Sequence, residues 1–129
     1  MATLETDIPA AGAAVTQDTI IGEAPFDGTV TAASILSEAA VTGATATART
    51  FTIINKGQAG AGAVSVATLV LNTGVDLVAF DEKDFTLSGT AANLLVAKGD
   101  VLAVAETVAG AGTAHTGGKV KVEVVPRNV

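Results

Sequence analysis

The chain has 129 residues, a size that suits one domain and leaves no room for two ordinary ones. It has no Cys, which excludes disulfides, thiolate metal sites and cysteine nucleophiles. The net charge of −6 disfavours nucleic acid as a partner, and the lack of an apolar run of ~20 residues disfavours a membrane span.

The first 16 residues contain the small-residue stretch AAGAA and precede any strong strand pattern. We therefore predict that residues 1–16 form an extended N-terminal arm and that residues 17–129 form the folded domain. A frayed terminus is the alternative. The start of the chain has neither the basic cluster nor the apolar run of a signal peptide, so secretion by that route is not expected.

Alternating and β-branched residues predict a series of short strands after the arm. They cover residues 29–36, 49–55, 64–71, 84–87, 93–97, 101–108 and 119–125. In the last strand, Val120, Val122 and Val124 are expected to face inward. Helix evidence is thin, because the Ala-rich connection 37–48 contains Gly43 and several hydroxyl residues. The pattern predicts an all-β, single-domain antiparallel sandwich that is jelly-roll-like.

The tripeptide Lys98-Gly99-Asp100 separates two apolar runs by a hairpin-length gap. We predict a hairpin turn in which Gly99 takes a positive φ and Asp100 accepts hydrogen bonds from nearby backbone N–H groups. A receptor-binding tripeptide is the alternative. The turn is favoured, because an acidic chain without a secretion signal has no evident route to a receptor.

No catalytic, cofactor-binding or metal-binding site is predicted from the side chains. The loop GQAGAG at 57–62 lacks the Lys-Ser/Thr ending of a phosphate-binding loop and leads into a strand. His115 lies in a Gly-rich stretch and is expected on the surface. The acidic cluster Asp81, Glu82 and Asp84 is expected to form a solvated turn, with a cation site as the alternative. The chain has no Trp or Tyr on which a sugar ring could stack.

From Gly28 to Val124 the sequence resembles the small head-decoration, or cement, proteins of tailed bacteriophages. The segments that carry the resemblance are GTVTAASILSEAAVTGATATARTFTIINKGQAGAG, FDEKDFTLSGTAANLLVAKGDVLAVAE and GGKVKVEV. The resemblance implies a β-sandwich protein without enzymatic activity, bound in many copies to the outer surface of the capsid, which it stabilises.

The partners that the resemblance implies are the major capsid protein and neighbouring copies of the chain, with a trimer as one arrangement. Leu4, Ile8 and Val15 of the arm are the expected anchors for the capsid or a neighbour. The alternative function is a head-fibre base or a cell-surface adhesion module built on the same sandwich. An enzyme or a carbohydrate-processing accessory is a third, less favoured class.

Overall fold

The computed structural model describes residues 1–127 as two antiparallel β-sheets packed face to face. The strands of sheet A are β1 (Ala2–Ile8), β3 (Gly28–Ser37), β6 (Glu82–Asp84), β8 (Leu95–Val96) and β10 (Gly118–Pro126). The strands of sheet B are β2 (Gln17–Glu23), β4 (Arg49–Asn55), β5 (Val64–Val70), β7 (Thr86–Leu87) and β9 (Val101–Val108). Residues 128 and 129, the end of the predicted domain, lie outside the described residues. The all-β sandwich predicted from the sequence is confirmed at this level.

Strand order is β1-β10-β3-β6 in sheet A, where β8 also pairs with β3, and β2-β9-β4-β5-β7 in sheet B. Two short 3₁₀ segments, Thr45–Thr47 and Ala91–Leu94, interrupt the connections. Within residues 1–127 there is no helix of the length and apolar character needed to cross a membrane.

The core lies between the sheets and is built almost entirely from aliphatic side chains. Val120, Val122 and Val124 of β10 are fully buried, as predicted, and they belong to the same core cluster as Phe51 and Ile53 of β4 in the other sheet. Successive side chains of a strand point to opposite faces of its sheet, so every second residue of a strand lies in this core layer.

The N-terminal segment differs from the predicted arm. Ala2–Ile8 pairs with β10 along its whole length and is an edge strand of sheet A. Its residues alternate between exposed and covered, and Leu4 packs beside Gly22 on the edge strand of sheet B. The alternation was hidden in the sequence because Ala2 and Thr6 occupy inward positions where larger apolar residues give a clearer signal.

Two of the predicted strands are divided. The DFTL segment is split at buried Phe85, so that β6 pairs in sheet A and β7 pairs in sheet B. The predicted strand 93–97 begins as a 3₁₀ segment and contributes only the two residues of β8. In both segments the chain crosses from one sheet to the other. A segment that changes sheets cannot continue the same ladder of backbone hydrogen bonds, so the predicted strand is interrupted.

Candidate functional site

The predicted anchors of the N-terminal segment are placed differently by the structure. Ile8 is buried in the core, and Leu4 is half-buried against it. Val15 is the only one of the three that is exposed. Ile8 is therefore not available as an anchor for a partner, because its apolar surface is already used inside the sandwich, whereas the assignments of Leu4 and Val15 stay predictions.

Lys98-Gly99-Asp100 forms a tight turn, but the predicted hairpin is wrong. β8 pairs with β3 in sheet A, whereas β9 pairs with β2 and β4 in sheet B, so the turn connects the two sheets at a corner. Gly99 has a φ of 91°, as predicted. The two flanking runs are apolar because each contributes to the core from its own sheet.

Asp100 organises this corner through its carboxylate. Its Oδ2 atom accepts hydrogen bonds from the backbone N–H of Ala97 at 2.9 Å and from the Asn55 amide at 3.0 Å. Partial burial of the carboxyl raises its pKa, but the hydrogen bonds from Ala97, Asn55 and Gln58 outweigh that effect, so the pKa of Asp100 is lowered. Asp100 is thus a structural acceptor at the corner.

A buried polar cluster of Arg49, Glu106 and His115 closes one end of the sandwich. The Arg49 Nη1 atom lies 3.1 Å from Glu106 Oε1, and His115 Nε2 lies 2.6 Å from the same oxygen. The expectation that His115 lies on the surface is wrong. Its loop folds back over the end of the core, where its ring packs at a tilt on Phe51 with 5.6 Å between centroids.

The cluster joins segments that are far apart in the sequence. Arg49 also donates to the carbonyl oxygens of Thr113, at 2.7 Å, and Gly12, at 2.9 Å. Gln17 donates to Glu106 Oε2 at 2.8 Å. One carboxylate and one guanidinium therefore hold the N-terminal segment, β2, β4, β9 and the 110–117 loop together.

Hydrogen-bond directions determine the protonation of His115. The backbone N–H of Gly117 donates to Nδ1 at 3.0 Å, so Nδ1 is the unprotonated nitrogen. The ring proton then lies on Nε2, which donates to Glu106. The cluster is a neutral imidazole beside one ion pair, with the Arg49 and Glu106 side chains fully closed to solvent. Its side chains are closed to a substrate from outside and are engaged in bonds that link distant segments of the chain.

The acidic cluster at 81–84 does not form the predicted solvated turn, because Glu82 and Asp84 lie on the same outward side of β6 and Asp81 directly precedes that strand. Glu82 forms an ion pair with Lys121 at 3.0 Å and accepts a hydrogen bond from Ser34 at 3.1 Å. The hydrogen bonds from Lys121 and Ser34 lower the pKa of Glu82, and the same contact raises the pKa of Lys121. Among residues 1–127, no three His, Asp or Glu side chains are grouped as a metal site requires.

The outward faces of the two sheets differ sharply in charge. The outward positions of sheet A carry seven charged residues, which are Glu5, Asp7, Glu82, Asp84, Lys119, Lys121 and Glu123. In sheet B the outward charged residues lie on the edge strand β2, at Asp18 and Glu23, whereas the outward positions of β9, β4 and β5 carry none. These positions are Val101, Ala103, Ala105, Thr107, Thr50, Thr52, Ile54, Ser65, Thr68 and Val70. We call this second surface the uncharged face.

Phe80 is the most exposed large apolar side chain of the described chain, at 82%. It has a φ of 59°, a left-handed conformation that bulky side chains rarely adopt. Its backbone N–H donates to the Ser37 carbonyl at 2.8 Å, which ties the loop to the end of β3. The ring stands beside Leu36, which is also partly exposed. A strained backbone that presents an aromatic ring to solvent is typical of a binding position.

The comparisons with protein families, curated proteins and solved structures found no match to this chain.

Sequence reasoning missed the buried cluster and Phe80 for different reasons. Glu106 lies two residues after Val104 on β9, and Arg49 lies two residues before Phe51 on β4, so each shares the inward face of its strand with those core residues. The alternation of the two strands could therefore have predicted that both side chains are buried. His115 and Phe80 lie in loops, where no periodicity applies. Their positions depend on contacts with β4, β9 and β3 that no local pattern contains.

Proposed function

We propose that this chain is a structural virion protein that decorates the outside of a tailed-phage capsid and stabilises the head. Its partners in this proposal are the major capsid protein, bound in many copies, and neighbouring copies of the chain. The class of protein is taken from the resemblance of residues 28–124 to head-decoration proteins. The protein would be made in the host cytoplasm and would reside on the outer surface of the capsid.

The order of the strands supports a jelly-roll form of the sandwich as part of this proposal. β1, β10, β3 and β6 alternate with β2, β9, β4 and β5 as the chain crosses repeatedly from one sheet to the other. Apart from the two-residue strands β7 and β8, each sheet has four strands, and two four-stranded sheets connected in this way are the arrangement of double-sheet jelly rolls, a group that includes viral capsid domains.

The observation that carries the binding role is the exposed, strained Phe80. A non-glycine residue in a left-handed conformation costs of order 1–3 kcal/mol, and this one recovers little by burial because its ring faces solvent. Aromatic side chains, Phe among them, are enriched at protein interfaces. Phe80 with its neighbours Leu36 and Val78 would therefore be the contact to the capsid subunit.

A small contact of this kind suits a protein that binds in many copies. One aromatic anchor and two aliphatic neighbours fall well short of the ~800 Å² per partner of a standard interface. Attachment of each copy would gain from simultaneous contacts with neighbours on the shell. We assign no enzymatic activity to the chain, because the buried titratable side chains Arg49, Glu106 and His115 are engaged in internal hydrogen bonds and closed to solvent.

Mass spectrometry of purified particles from the source of this chain tests the proposed class. We expect the protein to be detected together with the other head proteins. Its absence from particles whose other head proteins are detected would reject the proposal.

A binding assay with Phe80→Ala tests the proposed contact. Purified protein is sedimented with heads that lack it, and the bound fraction is measured against protein concentration. We expect Phe80→Ala to weaken binding by about tenfold or more, as for an interface anchor. The matched control is Leu95→Ala, which removes an exposed apolar side chain elsewhere on sheet A and is expected to bind as the wild type does. Equal binding by both variants would contradict the role of Phe80.

A further inference from the structure

We infer that the uncharged face of sheet B is a self-association surface, which packs against the same face of a second copy of this chain. The inference does not depend on the capsid role, since it concerns only contacts between copies. It rests on the distribution of charge, on the shape at one end of the face and on its area.

Charge distribution selects a second copy as the occupant. Each chain carries a net charge of −6, so two copies repel each other, and the repulsion is smallest when the surfaces in contact carry few carboxylates. The outward positions of β9, β4 and β5 form such a surface, whereas the opposite face of the sandwich is crowded with acids and lysines. A strongly basic partner, by contrast, would be expected to bind the face that carries the acids.

The side chains of the uncharged face are suited to sheet-on-sheet packing. Thr50, Thr52, Ala105 and Thr68 are small, so two sheets can approach to the ~10 Å spacing of stacked β-sheets without leaving large voids. These residues are half-buried within the chain, and none of them is charged. Desolvating them therefore costs far less than desolvating the charged face.

β2 borders the uncharged face and offers a patch that can fit against the same patch of a second copy. Ile20 lies outward on β2 and is 69% exposed. It stands beside a shallow apolar depression that is lined by Val101 and Ala103, with Asp18 and Lys56 at its rim. In a two-fold contact each copy presents the same patch to the other, so Ile20 of each can enter the depression of its partner. The opposite charges of Asp18 and Lys56 can pair in the same way.

The area available for this contact is small. The three strands of the uncharged face together with β2, about 4.8 Å apart and seven residues long at about 3.4 Å per residue, give a footprint of roughly 450 Å² per copy. Two copies would bury about 900 Å² in total, which is at the lower end for specific interfaces. The expected dimer is therefore weak and concentration-dependent.

Sedimentation velocity over about a hundredfold range of protein concentration tests the inference directly. We expect the wild-type chain to move from a species of 12.6 kDa to one of twice that mass as concentration rises. Association should become stronger when salt is added, because screening reduces the repulsion between two chains of the same sign. A wild-type chain that stays monomeric at every concentration and salt level would overturn the inference.

A matched pair of lysine substitutions identifies the surface. Thr52→Lys places a charge at the centre of the uncharged face and is expected to weaken dimerisation by tenfold or more. Ala32→Lys adds the same charge on the outward face of sheet A and is expected to leave it unchanged. Circular dichroism and thermal unfolding confirm that both variants are folded, and Ala105→Lys replaces Thr52→Lys if the latter does not fold. Dimers that persist in the variant of the uncharged face, or that are lost equally in Ala32→Lys, would overturn the inference.

Discussion

Replacement of Glu106 by Gln is expected to remove about 3–5 kcal/mol from the free energy of unfolding. This is the range for a buried ion pair that loses one partner, because the remaining charge stays buried without compensation. Here Arg49 would be that charge, and its side chain has no access to solvent. All three side-chain partners of Glu106 donate hydrogen bonds to it, so the amide nitrogen of Gln would face a donor at one of these contacts.

Urea unfolding followed by circular dichroism at neutral pH measures this loss. With a dependence on urea of about 1.5 kcal/mol per M, the midpoint would fall by about 2–3 M. The total stability of such a domain is about 5–15 kcal/mol, so the variant would retain only part of it. Glu5→Gln, on the exposed face of β1, is the matched control, with an expected change within about 0.5 kcal/mol. A loss below about 1 kcal/mol for Glu106→Gln would show that Arg49 is not held as the geometry indicates.

The corner at residues 98–100 supports two further predictions. Gly99→Val is expected to lower the free energy of unfolding by about 1–3 kcal/mol, because Val at a φ of 91° is strained even though the nearest side chain, Gln58, leaves room for a Cβ atom at 3.6 Å. Lys98→Ala is expected to change it by less than about 0.5 kcal/mol, since the hydrogen bonds of residue 98 come from its backbone; equal effects in thermal unfolding would contradict this account. The lowered pKa of Asp100 means that its carboxylate stabilises the folded chain above the unfolded pKa of about 3.9 and that this contribution is lost as pH falls through the folded value. Asp100→Asn should therefore flatten the acid limb of a stability-against-pH curve, and an unchanged acid limb would refute the assignment.

The fold class and the strongest strands could be predicted from local alternation. β4 covers the seven residues predicted for it, and the inward valines of β10 are those that the pattern KVKVEVV indicates. The need for a positive φ at residue 99 could likewise be predicted, because Gly beside Asp at the end of an apolar run is a local turn signal. Each of these features depends on neighbours within a few residues.

Only the tertiary structure decided which segments pair. β1 joins the sandwich because β10 offers it a full ladder of partners, although its own alternation is weak. The turn at 98–100 connects two sheets and not two paired strands, because β3 takes β8 while β2 and β4 take β9. His115 is buried because a carboxylate on β9 and a ring on β4 meet the loop that carries it. A period of two determines which side chains share a face, but the choice of sheet and the exposure of a loop residue depend on contacts between residues distant in the chain.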